Sequence, residues 1–557
     1  MNTTDVTRRT FLQTGALAFA TMIPIRKGWG AVSPQLHRDA IAPVEIDVAN
    51  LKILLEAAVT AATDYGASYA DAHVRYIRRE DWEEFTWRDQ HASYPLPSWL
   101  TKLGITVRAL VDGMWGVAGA GGMLTLDAAA GLGRSAAGQA KTVTSGVAMQ
   151  TLRRVTELAP APVVTGEWTT PIGIDPFQVS PEEKADYGIA LMDLLGRQRH
   201  VDRAELAVQF MKEQRIFASS TGSYVTQMLF TTKGTFSLSV ERDWVTEHPA
   251  WRSADFFSAA GAGWEYVRNA PFQDEMARMI DEARSAQRAK PIDVGRYDVV
   301  FDARSMAEIL TDSIGVATQL DRALGYEANG VGTSYLGDPL AMLGTFKMGS
   351  PLLNVKANRS MPAGAATVQW DDEGVVPQDV TLVKDGILTD FQTTREGAAW
   401  LSSSYEKIGH SVRSNGCAGR YGVPAPVQQV SPNVILEPGQ HDLSFENLVQ
   451  STKKGLAIIG WAGGAIDQQG LNGWGAGQVI YEITNGKFTG TVDFDRTKFL
   501  YRSPEFWRNL VAIGGPRSVR TFGFERYRDS ELDRAIHTVS SPPAKVTGVA
   551  VTNLFTM

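Results

Sequence analysis

The sequence predicts an α+β fold, an N-terminal α/β domain followed by a mainly antiparallel β C-terminal domain. Three observations carry that reading. At 557 residues the chain is longer than one ordinary hydrophobic core serves, so at least two domains are expected. Helical and strand-like periodicities are mixed: Leu51, Leu54, Leu55, Ala58 and Ala62 share one helical face just ahead of an alternating run at 70–77. The pairs Asp112-Gly113, Asp385-Gly386 and Asn485-Gly486 read as tight turns, and a two-residue hairpin turn needs the positive φ that Gly tolerates and Asp or Asn can reach. The organisation predicted is a leader at 1–32, an N-terminal domain at 40–290 and a C-terminal domain at 291–557.

Composition excludes several function classes. Apolar residues at 44% and charged residues at 21% describe a globular chain and neither a disordered nor a fibrous one. A net charge of -7 without a long Lys/Arg run lacks the electrostatic footprint of a nucleic-acid binder. The single cysteine, Cys417, rules out an intrachain disulfide framework and any multi-Cys zinc site. It is read as a packed residue, since reactivity requires a lowered pKa that sequence does not display.

Taken in order, the chain opens with T-R-R-T-F-L-Q at 7–13, in which Arg8 and Arg9 give a twin-arginine form ahead of a moderately apolar run at 14–23. That run is shorter than the roughly 20 residues that cross a bilayer, and no Cys follows closely to carry a lipid. Export of a folded protein to the periplasm, with no stable membrane span, is expected. Gly66 stops the first helix, the turn at Asp112-Gly113 joins two strands, and 126–142 is Ala-rich and helical. A Pro-rich loop precedes a helix at 181–197, then strands at 205–211, 215–219, 224–231 and 234–240. The aromatic stretch from Trp244 to Trp264 is read as packing rather than as a groove wall, and a helix at 274–287 ends the first domain.

The second domain begins with a strand at 297–301 and a helix whose apolar positions are Met306, Ile309, Leu310 and Ile314. Adjacent acids at Asp371, Asp372 and Glu373 invite a metal reading, but Asp372-Glu373-Gly374 and Asp385-Gly386 read better as turns whose carboxylates satisfy local N–H groups. A short buried strand at 455–460 leads into a glycine-rich loop at 463–477. It is no phosphate cradle, because a strand rather than a helix follows it. The last strand, 546–551, is expected to close a sheet.

Several of these segments match a known pattern together and in order. They are L-G-I-T-V-R-A-L-V-D-G-M-W-G-V-A at 103–118, D-D-E-G at 371–374 a few residues before L-V-K-D-G-I-L at 382–388, and N-G-K at 485–487. With them the chain resembles the TldD/PmbA family, which includes zinc peptidases and metal-free partner subunits. In the metal-bearing branch, the resemblance implies, the helix that follows the strand at 297–301 carries H-E-x-x-x-H and a distant C-terminal Cys completes the zinc site. Here those positions hold Thr311, Asp312 and Val316, and no Cys follows residue 514. Zinc needs three or four N, S or O donors with one position open for water. Val316 offers none, Thr311 a poor one, and Asp312 is a shortened base with no metal-bound water to act on.

The expectation is therefore a peptidase-family fold without the metal, with no cofactor: a partner subunit that binds peptide and pairs with a TldD-like metal-bearing chain. Two alternatives stand beside it. One is an active metallopeptidase whose zinc uses other donors, from Asp312, Asp321, Glu308 or His537. The other is a periplasmic peptide-binding or assembly protein that acts alone or by self-association. Other chemistry finds no anchor. The 8 histidines include no i, i+4 pair, and neither a G-x-S-x-G elbow nor a G-x-G-x-x-G after a strand in the first domain is present.

Overall fold

Helix α1 (Val48–Asp64) forms where the apolar spacing places it. Leu51, Leu54, Leu55, Ala58 and Ala62 are all buried, and the helix packs on α2 (Leu126–Ser145). The two approach closely because Gly133 has no side chain: a Cβ there would lie 2.0 Å from the carbonyl oxygen of Ala58. The computed structural model describes residues 48–87, 90–94, 100–122, 125–145, 156–198, 200–241, 250–527 and 534–553. The leader, with Arg8 and Arg9, lies outside them, as does Trp244.

The first sheet holds β1 (Tyr69–Trp87), β2 (Gln90–Tyr94), β3 (Leu100–Val111), β4 (Met114–Gly121), β5 (Thr165–Thr169), β6 (Val201–Ser219), β7 (Tyr224–Val240) and β8 (Ala250–Ser253). Its order is β4-β3-β1-β6-β7-β5, with β2 on β1 and β8 on β7. All pairs are antiparallel except β5 with β7.

Two expected strand breaks are absent. The strands expected at 205–211 and 215–219 are one, β6, and those at 224–231 and 234–240 are one, β7. The charged residues at 212–215 do not interrupt β6, because each has a partner. Lys212 reaches Asp175 at 2.8 Å, and Glu213 is buried between Arg75 and Arg215. Across β7, Gly234 lies under the Phe257 ring and Lys233 pairs with Glu525.

Over this sheet lie α3 (Pro181–Gly196), capped by the Ser180 hydroxyl accepting from the Glu183 N–H, and α4 (Phe272–Ala286). Trp264 is buried among Trp82, Tyr187 and Phe210 at ring distances of 5.7–5.9 Å. The described part of the aromatic stretch thus packs largely inward, with Trp251 partly exposed.

From β9 (Gly295–Phe301) the chain enters α5 (Ala303–Leu310). Then follow β10 (Val355–Asn358), β11 (Asp379–Lys384), β12 (Ile387–Leu388), β13 (Ala418–Gly419), β14 (Gln428–Gln429), β15 (Val434–Leu436), β16 (Lys454–Ile459), β17 (Gly463–Ile466), β18 (Asn472–Ala476), β19 (Val479–Thr484), β20 (Lys487–Val492), β21 (Thr497–Arg502), β22 (Leu510–Ile513), β23 (Arg520–Tyr527), β24 (Arg534–Ser541) and β25 (Ala544–Asn553). A nine-stranded sheet runs β17-β18-β21-β25-β9-β16-β19-β20, with β22 on β25, and a six-stranded one runs β12-β11-β10-β15-β24-β23. β13 and β14 pair separately.

The α+β class holds, with mostly antiparallel sheets. Two local expectations do not. The glycine-rich loop is a hairpin, β17–β18, whose glycines leave room for the rings of Trp461, Phe499 and Tyr501. The last strand does not close its sheet but lies inside it, between β21 and β9, as its alternating burial requires.

Candidate functional site

The degenerate motif sits where α5 widens. Asp302 caps the helix by accepting from the Ser305 N–H at 2.8 Å, and Met306, Ile309, Leu310 and Ile314 are fully buried. At Thr311–Gly315 the helix becomes a π turn, closed by the Val316 N–H donating to the Thr311 carbonyl at 2.9 Å. Residues five apart come together only in such a turn, so it is the backbone form that an i, i+5 pair of ligands requires. Core contacts hold it. The Trp507 indole N–H donates to Ser313 Oγ at 2.9 Å, and the Gln392 amide donates to the Gly315 carbonyl and to Thr318 Oγ1.

On the outer side of the turn lies a cleft of about 270 Å³. Asp312 and Val316 border it, with Gln319, Asp321, Arg322 and Glu327 from the following segment, Gln429 of β14 beside Ser431, Tyr421, and Ile466 to Gln468 at the β17–β18 turn. Arg322 is anchored by donating to the carbonyls of Thr333 (3.3 Å) and Gln468 (3.1 Å). Asp321 and Gln429 bond reciprocally. The Gln429 N–H donates to Asp321 Oδ2 and the Asp321 N–H to Gln429 Oε1, both at 3.2 Å. Burial, with Glu396, Glu327 and Glu373 nearby, raises the Asp321 carboxyl to about 7 against the pull of that N–H.

Thr311 is buried on the inner side, where its Oγ1 meets Nε2 of His537 at 3.0 Å, and His537 stacks on Phe524. The alternative donors are thereby separated. Asp312 and Asp321 share the cleft, whereas His537 and Glu308 do not border it, and Glu308 pairs with Arg304 one turn back along α5. This donor set does not fit zinc. The motif positions supply one carboxylate and no imidazole, and the described residues contain no group of three His, Cys, Asp or Glu side chains placed to hold a metal. Cys417 is buried, and its thiol is pushed up to about 12 by that burial.

Sequence reasoning missed a second constellation, at Asp371, Asp372 and Glu373. Asp371 does satisfy local N–H groups, those of Glu373 (2.8 Å) and Val375 (2.9 Å). The other two carboxylates do not stay local. Asp372 accepts from Arg420 Nε at 3.0 Å and faces Arg215 at 3.7 Å, while Glu373 accepts from the Arg395 N–H at 2.7 Å and lies 3.4 Å from Arg108. Arg108 in turn forks onto Asp71 of β1. Gln429, Tyr421 and Glu327 were missed too, for want of any motif. They are single residues brought to the cleft by the pairing of β13 with β14 and by the loop after residue 324.

Comparison with known proteins agrees with this architecture. A family model described as the PmbA/TldA metallopeptidase C-terminal domain matches residues 294–553. A metalloprotease of Methanocaldococcus jannaschii is 28% identical over 234 residues, covering 41% of this chain and 46% of that protein. A metalloprotease of Methanothermobacter thermautotrophicus is 26% identical over 205 residues, 37% of this chain and 40% of that one. The chain thus spans less than half the length of these curated relatives in the match. Among solved structures, a protein of Bacteroides thetaiotaomicron described as a modulator of DNA gyrase superposes with a TM-score of 0.63 at 14% identity, over 91% of this chain and 99% of that one. A Thermotoga maritima protein of like description gives 0.63 at 16%, over 90% and 100%. TldE of Thermococcus kodakarensis gives 0.61 at 14%, over 89% and 99%. At these identities the superpositions speak for the fold alone.

Proposed function

From the premise that this chain belongs to the TldD/PmbA family, we propose that it is a metal-free, non-catalytic subunit of a peptide-processing metallopeptidase complex, exported to the periplasm by the twin-arginine route. One observation carries the reading: the helix has a π turn that suits an i, i+5 ligand pair, while its positions hold Thr311 and Val316. The cleft beside it suits an extended peptide. Among the described residues β17 has a neighbour on one side only, and Ile466 at its end borders the cleft. An unpaired strand edge holds a peptide through backbone hydrogen bonds, with little demand on its sequence. A zinc-bearing relative supplies hydrolysis.

Metal analysis of chelator-free protein, together with cleavage of an unstructured peptide by this chain alone and mixed with a zinc-bearing relative, tests the proposal. Substoichiometric zinc and cleavage only in the mixture are expected. Stoichiometric zinc with cleavage by the chain alone would favour the second reading, an active metallopeptidase with non-standard ligands, which the shared placement of Asp312 and Asp321 supports. A stable homo-oligomer that binds peptide and ignores the relative would favour the stand-alone reading.

A further inference from the structure

A second space, of about 50 Å³, lies where β1, β6 and β7 meet residues 359–368 and the β13–β14 region. Four guanidinium groups border it, those of Arg75, Arg215, Arg359 and Arg420, against one carboxylate, Glu213. All four arginines are largely or wholly withdrawn from solvent. Their hydrogen bonds leave the group short of negative charge. Arg75 forks onto Glu213 and gives its remaining bonds to the carbonyls of Arg420 and Gly422. Arg215 shares that same Glu213. Arg359 meets no carboxylate, and its Nε and Nη1 donate to the carbonyls of Ala366, Gly416 and Ala418 at 2.9–3.1 Å.

Arg420 gives Nε to Asp372. Its Nη2 has no hydrogen-bond partner among the described residues, although the residue is only 4% exposed. Asp371, the next acid, turns both oxygens to backbone N–H groups. Burial and the repulsion of Arg75 and Arg215 accordingly draw the Arg420 guanidinium below its ordinary range, against the pull of Asp372.

An arginine does not escape such a position by losing its proton, and four largely buried guanidiniums set against Glu213 and Asp372 leave an excess of positive charge that is expensive to bury. The remaining remedy is a counter-ion. We propose that this space is a binding site for one small inorganic anion of the halide class, held by Arg420 Nη2 among the four guanidinium groups. Its volume exceeds the 10–15 Å³ or so that one water needs, so a single monatomic ion fits. Ser431 borders both this space and the cleft at Asp321, so the anion also steadies one wall of the candidate site.

Two measurements on the full chain test the site. In crystals grown in bromide, an anomalous peak within about 3.5 Å of Arg420 Nη2 is expected, and its absence overturns the proposal. In solution, exchanging gluconate for chloride at constant ionic strength should raise the unfolding midpoint saturably, by about 2–4 °C, and Arg420→Met should abolish that rise. A dependence that never saturates, or one that survives in the variant, overturns it. The bromide experiment uses the native protein and so decides the matter even where the variant does not fold.

Discussion

Two polar regions of this molecule lie close together and are built on opposite rules. Around Asp71, Arg108 and Glu373, and around Arg75, Glu213 and Arg215, carboxylates and guanidiniums are buried face to face, and Asp71 and Glu213 are held below the usual carboxylate range by their guanidinium partners, Glu213 down to about 2 despite its burial. In the cleft, Asp321 is half-buried with one N–H and no ion pair among the described residues, and its carboxyl rises to about 7. The difference separates framework from site. Paired charges fix how the first sheet meets the second half of the chain, whereas an acid held by a single backbone donor keeps the capacity to respond to a ligand or to pH.

The largest effect should come from breaking the paired region. Arg108→Met strips Asp71 and Glu373 of their shared cation and should cost about 3–5 kcal/mol, read by urea unfolding; a loss below about 1 kcal/mol would mean that the lattice is not framework. Next comes Gln392→Ala, which takes a buried donor from the Gly315 carbonyl and should cost about 1–3 kcal/mol, loosening the π turn and weakening peptide binding in calorimetry. Thr311→Val removes the bond to His537 and should cost roughly 1–2 kcal/mol without changing the metal content of the purified protein.

The subtlest effect is one of pH. Asp321 has a folded pKa above its unfolded one, so its ionisation destabilises the fold progressively as pH rises from about 4 through 7. Asp321→Asn should therefore raise the unfolding midpoint most at pH 8, less at pH 5, and leave it unchanged below about pH 4, measured by scanning fluorimetry. Glu213 runs the other way. Its pKa is depressed, so its stabilisation is full above pH 5 and is lost as pH falls toward about 2.

Much of the framework was legible in the sequence, and for a local reason. At Asp112-Gly113, Asp385-Gly386 and Asn485-Gly486 both residues of each pair take positive φ, between 50° and 78° apart from Asp112 at 49°, so two adjacent letters suffice to announce a turn. The buried ion lattice was not legible, because its partners stand far apart in the chain: 37 residues separate Asp71 from Arg108, and 265 separate Arg108 from Glu373. The charged residues from Lys212 to Arg215 likewise find partners far away in the chain, and β6 runs through them unbroken. At the cleft, the family pattern located Asp312 and Val316, but it carried no signal for Gln429 or Tyr421, which only tertiary pairing brings there.

The widened turn at Thr311–Gly315 has a consequence for anyone who would re-engineer this chain. A π turn holds one residue more than an α-helical turn would, so deleting one residue there would leave an ordinary α turn and keep Leu320 and its neighbours facing the hydrophobic interior. Core contacts hold the bulge, those of Trp507 with Ser313 and of Gln392 with the Gly315 carbonyl. Whoever wishes to restore a metal here faces a problem of side chains alone, because the main chain already has the shape.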